Sequence, residues 1–389
     1  MGSTPAAVVT ELRLSAFRAH RSRVLPLGPM TLLTGPSGCG KSSALDGYES
    51  LARLAGGAGL AEVFGELGGG AAGCVPQRAK PDEQGRRGFR LGCTVDGPAG
   101  AVRLDLAVQA EPELRVAGER LTAADGRTLL STALRDPARP AVQAEWLTGG
   151  TRTTRARMPD DRLATVLLPL RISGATDAQR EVLTAAEQVV IALRSAFACD
   201  PDPAAMRAPV DLTDGLLRRG CGNLAAVLRR TRAECGIRHG LLVDAVRAGC
   251  AGPVSELLAV GCEGGRVRAV LERGDTGRRT PVEWLGDGEL RYMALALVLM
   301  TGPGVLSMDP VEGVLPARQA LSVLADGLDR GLDARQSRAL LDLAARMCER
   351  GHIRLLGTVR GDAPVPEGCL VDLGSARESR TPAVSSHAA

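Results

Sequence analysis

Aromatic side chains are almost missing from this chain: four Phe, two Tyr and two Trp in 389 residues. The core must therefore be built from Leu, Val and Ala, and a surface that stacks nucleobases on interleaved aromatic rings is disfavoured. Lysine is scarcer still. Of 48 basic residues only Lys41 and Lys80 are lysines. Beside 48 glycines, that bias fits a GC-rich coding sequence and makes each remaining lysine informative. The four histidines, His20, His239, His352 and His387, are too dispersed for a zinc site visible in the sequence. The ten cysteines fall singly with no C-x-x-C, which excludes Cys-rich metal spacing and predicts free thiols in a reducing cytoplasm. No apolar run approaches the roughly 18 residues of a membrane span. Glu11 and Arg13 interrupt the N-terminal apolar stretch, which argues against a secretory signal.

What is present is the composition of a globular protein, 44% hydrophobic and 24% charged, with a net charge of only +4. A chain so nearly balanced does not coat nucleic acid by bulk charge. Two small arginine clusters, Arg152/Arg155/Arg157 and Arg229/Arg230/Arg232, could meet phosphates, but in so Arg-rich a chain they read as solvated faces. Patterning predicts strands at the start, three short antiparallel strands over 88–118, loop over 132–162, helices over 178–197 and 216–233, and strands again over 254–285. A helix over 288–301, a strand over 304–308, helices over 316–349 and a strand over 353–358 come next. That alternation is the signature of a mostly parallel sheet.

One stretch carries chemistry outright. Gly35-Pro36-Ser37-Gly38-Cys39-Gly40-Lys41-Ser42 comes after an apolar strand and opens a helix, the context that gives the P-loop pattern its meaning. Glycines let backbone N–H groups curl around a β-phosphate, and the helix N-terminus adds positive potential. Lys41 is expected to reach the β- and γ-phosphates, Ser42 to ligate Mg²⁺, and Ser43 to complete the loop. No Asn/Thr-Lys-x-Asp element is available to read guanine, since Lys80 sits in Ala79-Lys80-Pro81-Asp82; ATP is the expected nucleotide. The strand candidate Val305–Asp309 makes Asp309 the expected acid for metal and water. Gln77, between the P-loop helix and the next strands, is a candidate Mg²⁺ contact.

Four further stretches resemble the RecF/OLD-like AAA ATPases of the ABC/SMC branch of P-loop NTPases. Leu14–His20 is similar to their entry strand. Leu212–Gly215 with Gly222–Leu228 is similar to a "GxNLaavL" element, Trp284–Arg291 to the signature "LSdGtLR", and Asp309–Pro316 to "EPEngLHP". In order, these span nearly the whole chain. The resemblance implies an α/β head with an antiparallel β subdomain and an inserted helical arm. The expected parts are an N-terminal lobe (1–130), a mostly helical insertion or lid (131–253), a C-terminal lobe (254–374) and a disordered tail (375–389). It also implies an ATP-dependent homodimer in which Gly286, Asp287 and Gly288 of one copy face the nucleotide of the other. Arg18 would lie near that nucleotide, and Glu119 matches an acid after the antiparallel strands. A nuclease domain is not expected; DNA or an adjacent effector protein is the expected partner, and no membrane is. Three departures stand out: Met308 replaces the first of two acids, no His comes after the last core strand, and Gly286 replaces a signature Ser. The expected function is a cytoplasmic ATPase with weak hydrolysis; the alternative is an ATP-gated switch with little turnover.

Overall fold

The computed structural model describes residues 6–136, 138–274, 277–308 and 320–374. The chain opens with β1 (Val8–Phe17), β2 (His20–Pro26) and β3 (Met30–Thr34), then α1 (Lys41–Ala55) and the short α2 (Leu60–Gly65) and α3 (Gly70–Gly73). Six strands come next: β4 (Arg87–Asp96), β5 (Val102–Glu111), β6 (Arg115–Thr122), β7 (Thr128–Ala133), β8 (Ala141–Gly149) and β9 (Arg152–Pro159). With β1 and β2 they form one eight-stranded antiparallel sheet in the order β2-β1-β4-β5-β6-β7-β8-β9. The expected strands over 88–118 are there. The loop expected over 132–162 is a correction, because β8 and β9 occupy it. Only Met158 of β9 is buried; an edge strand wet on both faces has no apolar alternation to betray it.

After α4 (Ala164–Leu167), α5 (Asp177–Arg194) packs against α1 and the large sheet. Its Gln188 amide bonds the carbonyls of Val95 (3.0 Å) and Gly100 (2.7 Å). The segment expected as one helical insertion over 131–253 therefore divides. Its first part extends the N-terminal sheet. Its later helices, α7 (Leu224–Glu234) and α8 (Gly236–Gly249), belong to a second core with α9 (Asp287–Met300) and α10 (Ala334–Glu349). Between these lie β10 (Ala196–Cys199), α6 (Pro203–Met206), β11 (Val210–Asp211), and the antiparallel β12 (Glu256–Gly261), β13 (Arg266–Arg273) and β14 (Arg278–Pro281).

The central sheet is wholly parallel, in the order β10-β15-β16-β3-β17, with β15 at Leu321–Ala325, β16 at Ile353–Thr358 and β17 at Leu370–Asp372. Two expectations fail here. Residues 304–308 do not enter this sheet: Pro303–Val305 is a 3₁₀ turn and Leu306 makes only an isolated bridge to Leu217. Pro303 lacks the N–H that a sheet ladder needs, which favours the turn. The sheet strand is instead β15, inside the span expected to be helical. All five of its residues are buried, and a parallel strand covered on both faces shows no alternation to distinguish it from a buried helix.

Glu119 shows how one buried acid holds the N-terminal lobe together. It accepts from the N–H of Ala164 (2.6 Å) and of Thr165 (2.9 Å), and from the Thr165 hydroxyl, at the start of α4. Burial pushes its carboxyl upward, against those three hydrogen bonds. Its place is thus that of a cap. Glu119→Ala is expected to cost about 3 kcal/mol, because two buried N–H donors lose their partner. Chemical denaturation measures this, and nucleotide binding should stay unchanged.

Candidate nucleotide site

The carboxyl ends of the parallel strands define the site, as is usual for open α/β sheets. β3 is buried throughout and delivers the chain into Gly35–Gly40, whereupon α1 begins at Lys41. Gly35 has φ +134° and a Cβ there would stand 2.9 Å from the Cys39 sulfur and 3.0 Å from the Gly374 nitrogen. Gly40 has φ +101°, and its Cβ would meet the His20 ring at 2.7 Å. Only glycine fits such left-handed, crowded positions. The loop thus turns its backbone inward at the head of a 15-residue helix, where N–H groups and dipole favour an anion. The Lys41 ammonium lies across it, donating to the carbonyls of Gly35 (2.7 Å) and Pro36 (3.1 Å).

Behind the loop stands a residue that no sequence motif had singled out. Asp326, directly after β15, accepts from the Ser42 hydroxyl at 2.8 Å and from the Thr358 hydroxyl, at the end of β16, at 2.6 Å. The Gly327 N–H donates to that same Thr358 oxygen (2.7 Å). A hydroxyl and a carboxylate meeting at the mouth of a glycine loop form a hard oxygen pair of the sort Mg²⁺ takes alongside phosphate. Asp309 lies outside the described residues. The available signal was Leu321–Ala325 followed by Asp, an apolar run ending in an acid, hidden by its helix-forming composition.

The β1–β2 turn packs onto this loop. The His20 Nε2–H donates to the Gly40 carbonyl (3.0 Å) from a buried position. Burial pulls its imidazole below the usual value near 6.5, so protonation costs the folded state, and stability should fall as pH drops below about 6.5. Thermal denaturation from pH 7 to pH 5 should therefore show a smaller drop for His20→Gln, whose amide keeps the donor without the titration. Arg18 pairs with Asp46 of α1 and donates its backbone N–H to Cys74 (2.7 Å). Burial raises the Asp46 carboxyl, with Arg18 opposing and Asp326 reinforcing the shift. Arg18 Nε is buried without a hydrogen-bond partner. Gln77 is exposed in a turn.

The signature stretch sits on the other core. Gly286 precedes α9, and its N–H donates to Glu289 (3.2 Å), whose second oxygen accepts from Ala251 (2.9 Å). Asp287 pairs with Arg207 (2.6 Å). A Cβ on Gly288 would lie 2.4 Å from the Gly331 carbonyl oxygen, so glycine lets α9 approach that loop. Among the described residues no hydrogen bond joins Gly286–Gly288 to the P-loop. The link runs through Arg291, which is buried and donates to the carbonyls of Pro201 (2.6 Å) and Gly327 (3.3 Å) and meets Asp200 at 3.4 Å. Asn223, fully buried, ties together the loop before it: its amide donates to the carbonyls of Asp214 (3.0 Å) and Leu216 (2.6 Å) and its oxygen accepts from Arg218 (3.1 Å).

No cluster of three or more His, Cys, Asp or Glu that could hold a metal occurs among the described residues. No helix among them is long and apolar enough to cross a membrane. A scan against protein-family models gives no match, and neither does a search of curated proteins. Solved structures similar to this chain include three SMC head domains. One is bound to the C-winged helix domain of ScpA, at 12% identity over 94% of each chain and TM-score 0.48. Another, from Thermotoga maritima, has 11% identity over 91% of this chain and 89% of that one, TM-score 0.39. The third has an extended coiled coil and is bound to the C-terminal domain of ScpA derived from Pyrococcus furiosus, at 10% identity over 94% and 93%, TM-score 0.47.

Proposed function

We propose that this chain binds ATP with Mg²⁺ at Gly35–Ser43 and Asp326, pairs with a second copy across that nucleotide, and works as a slow ATPase or nucleotide-gated switch. The observation that carries the reading is the Ser42–Asp326 contact (2.8 Å) behind a left-handed glycine loop. The loop N–H groups would hold the β-phosphate, and the Lys41 ammonium would leave its two carbonyls for β- and γ-phosphate oxygens. Ser42 and Asp326 would hold the metal, which neutralises charge on the phosphates when bound. Asp287 and Gly288, at the start of α9, would offer backbone N–H groups to the γ-phosphate of the second copy.

The residues at the carboxyl ends of β15 and β16 favour slow turnover. Next to Asp326 stands Gly327, which has no carboxylate to take a proton from water. At the end of β16 come Thr358, Val359 and Arg360. Asp329 is buried and already holds the Arg360 backbone N–H (3.1 Å) and guanidinium (3.0 Å). These features favour the switch over an enzyme of high turnover. Fluorescent-ATP titration, steady-state phosphate release and sizing with and without ATP test the reading. Expected are Mg²⁺-dependent binding lost in Lys41→Ala, a larger species with ATP, and turnover below about one per minute. Several turnovers per second, abolished by Lys41→Ala and Asp326→Asn, would overturn slow hydrolysis; no nucleotide binding would overturn the whole reading.

A further inference from the structure

Away from the nucleotide site, α8 and α10 lie side by side on α9. Between them runs a cavity of about 420 Å³, continued by one of about 520 Å³ that opens between the end of α7, the turn after α9 and the start of β16; the two share Met300, Met347 and Arg350. Together they make one groove. On one wall, Leu241, Ala245 and Ala248 of α8 recur at helical spacing; on the other, Ala339, Leu343 and Met347 of α10 do the same. α8 is 14 residues long, so this wall extends about 21 Å. Methionine is flexible and polarisable, suited to an apolar surface that accepts a partner. The stripe continues past the groove: Ile237, one turn before Leu241, is 82% exposed, and Leu241 itself 48%. Exposed aliphatic side chains four apart on one helix, above a methionine floor, have the pattern into which an amphipathic helix packs.

Charge narrows the occupant. The carboxylates of Glu234 and Asp244 are engaged by Arg230 (2.7 Å) and Arg247 (2.6 Å). Among the described residues, Arg238, Arg346 and Arg350 of the groove have no carboxylate partner, against Asp342 alone on the acidic side. The surplus is cationic. We propose that the groove between α8 and α10 docks an amphipathic helix of a partner protein whose apolar stripe is flanked by Asp and Glu. The site stands apart from the nucleotide: His352 and Ile353, at the start of β16, line the groove, whereas Thr358 at its other end faces Asp326. Ile353 and Thr358 are the two ends of this six-residue strand, about 17 Å apart, so both can be occupied together.

The test uses the full chain and two dye-labelled synthetic 18-residue helices with the same Leu stripe, one carrying Glu on its flanks and the other Lys. Fluorescence anisotropy at low salt should show the Glu helix binding at least tenfold tighter. Met347→Glu, and Ile237→Glu combined with Leu241→Glu, should each weaken it at least tenfold. Arg346→Glu with Arg350→Glu should shift the preference to the Lys helix. Unchanged fluorescent-ATP binding in these variants separates loss of docking from loss of fold. Equal affinity for both helices, or variants that bind like wild type, would overturn the proposal. So would a nucleotide-independent oligomer that Ile237→Glu dissolves, since the groove would then be filled by a second copy.

Discussion

Asp326→Asn should weaken Mg²⁺-dependent ATP binding on the order of 100-fold, about 3 kcal/mol, while Asp309→Asn leaves it within about twofold. The substitution keeps shape and one acceptor, so the fold should survive. What it removes is the carboxylate charge that would face the proposed Mg²⁺. Asp326 is fixed by two hydroxyls, Ser42 from the glycine loop and Thr358 from the neighbouring strand. The Gly327 N–H in turn fixes Thr358. Titration of a fluorescent ATP analogue with Mg²⁺ and with EDTA reads the effect: the mutant should bind equally weakly in both. Were Asp309→Asn the damaging change and Asp326→Asn the mild one, the metal site would have to be placed elsewhere.

Arg291→Met should lower stability by about 3 kcal/mol and ATP affinity about tenfold, with Arg291→Lys recovering part of both. The guanidinium is buried and spans three elements: α9, which carries it, the turn after β10 through Pro201 and Asp200, and the turn after β15 through the Gly327 carbonyl. Removing it strands two carbonyls and loosens the turn that presents Asp326. Lysine keeps the charge but cannot reach two carbonyls with a rigid fork. Denaturant unfolding gives the stability change, and the same nucleotide titration gives the affinity. An unfolding midpoint changed with affinity untouched would limit Arg291 to a packing role. Trp284, 77% exposed two residues before Gly286, offers a fluorescent reporter on the signature side, with Trp146 buried in the large sheet.

How much of this could be read from the chain differs element by element. The glycine loop was legible because its chemistry is local. Eight consecutive residues specify turn, charge and helix start, and the spared lysine at position 41 pointed to it. The strand over 353–358 was legible as well, as were the antiparallel strands around β5, where one buried face imposes alternation. Gly286 occupies the capping position of α9. The acid that meets Ser42 was not legible. It comes from a strand of five buried residues, 284 positions away in sequence, and no local pattern says which of several apolar runs ending in Asp will slot between β10 and β16.

By itself, then, the sequence determined the pieces whose physics is complete within a few residues: a glycine loop opening a helix, helices with an apolar stripe and strands with one wet face. Only the tertiary structure decided which acid meets Ser42, that Glu119 caps a helix, that Arg291 ties α9 to the turns after β10 and β15, and that α8 and α10 leave a groove between them. Those outcomes depend on burial and on register between distant segments. In a parallel sheet covered on both faces the register is set by packing from above and below, and that information is spread over the whole chain.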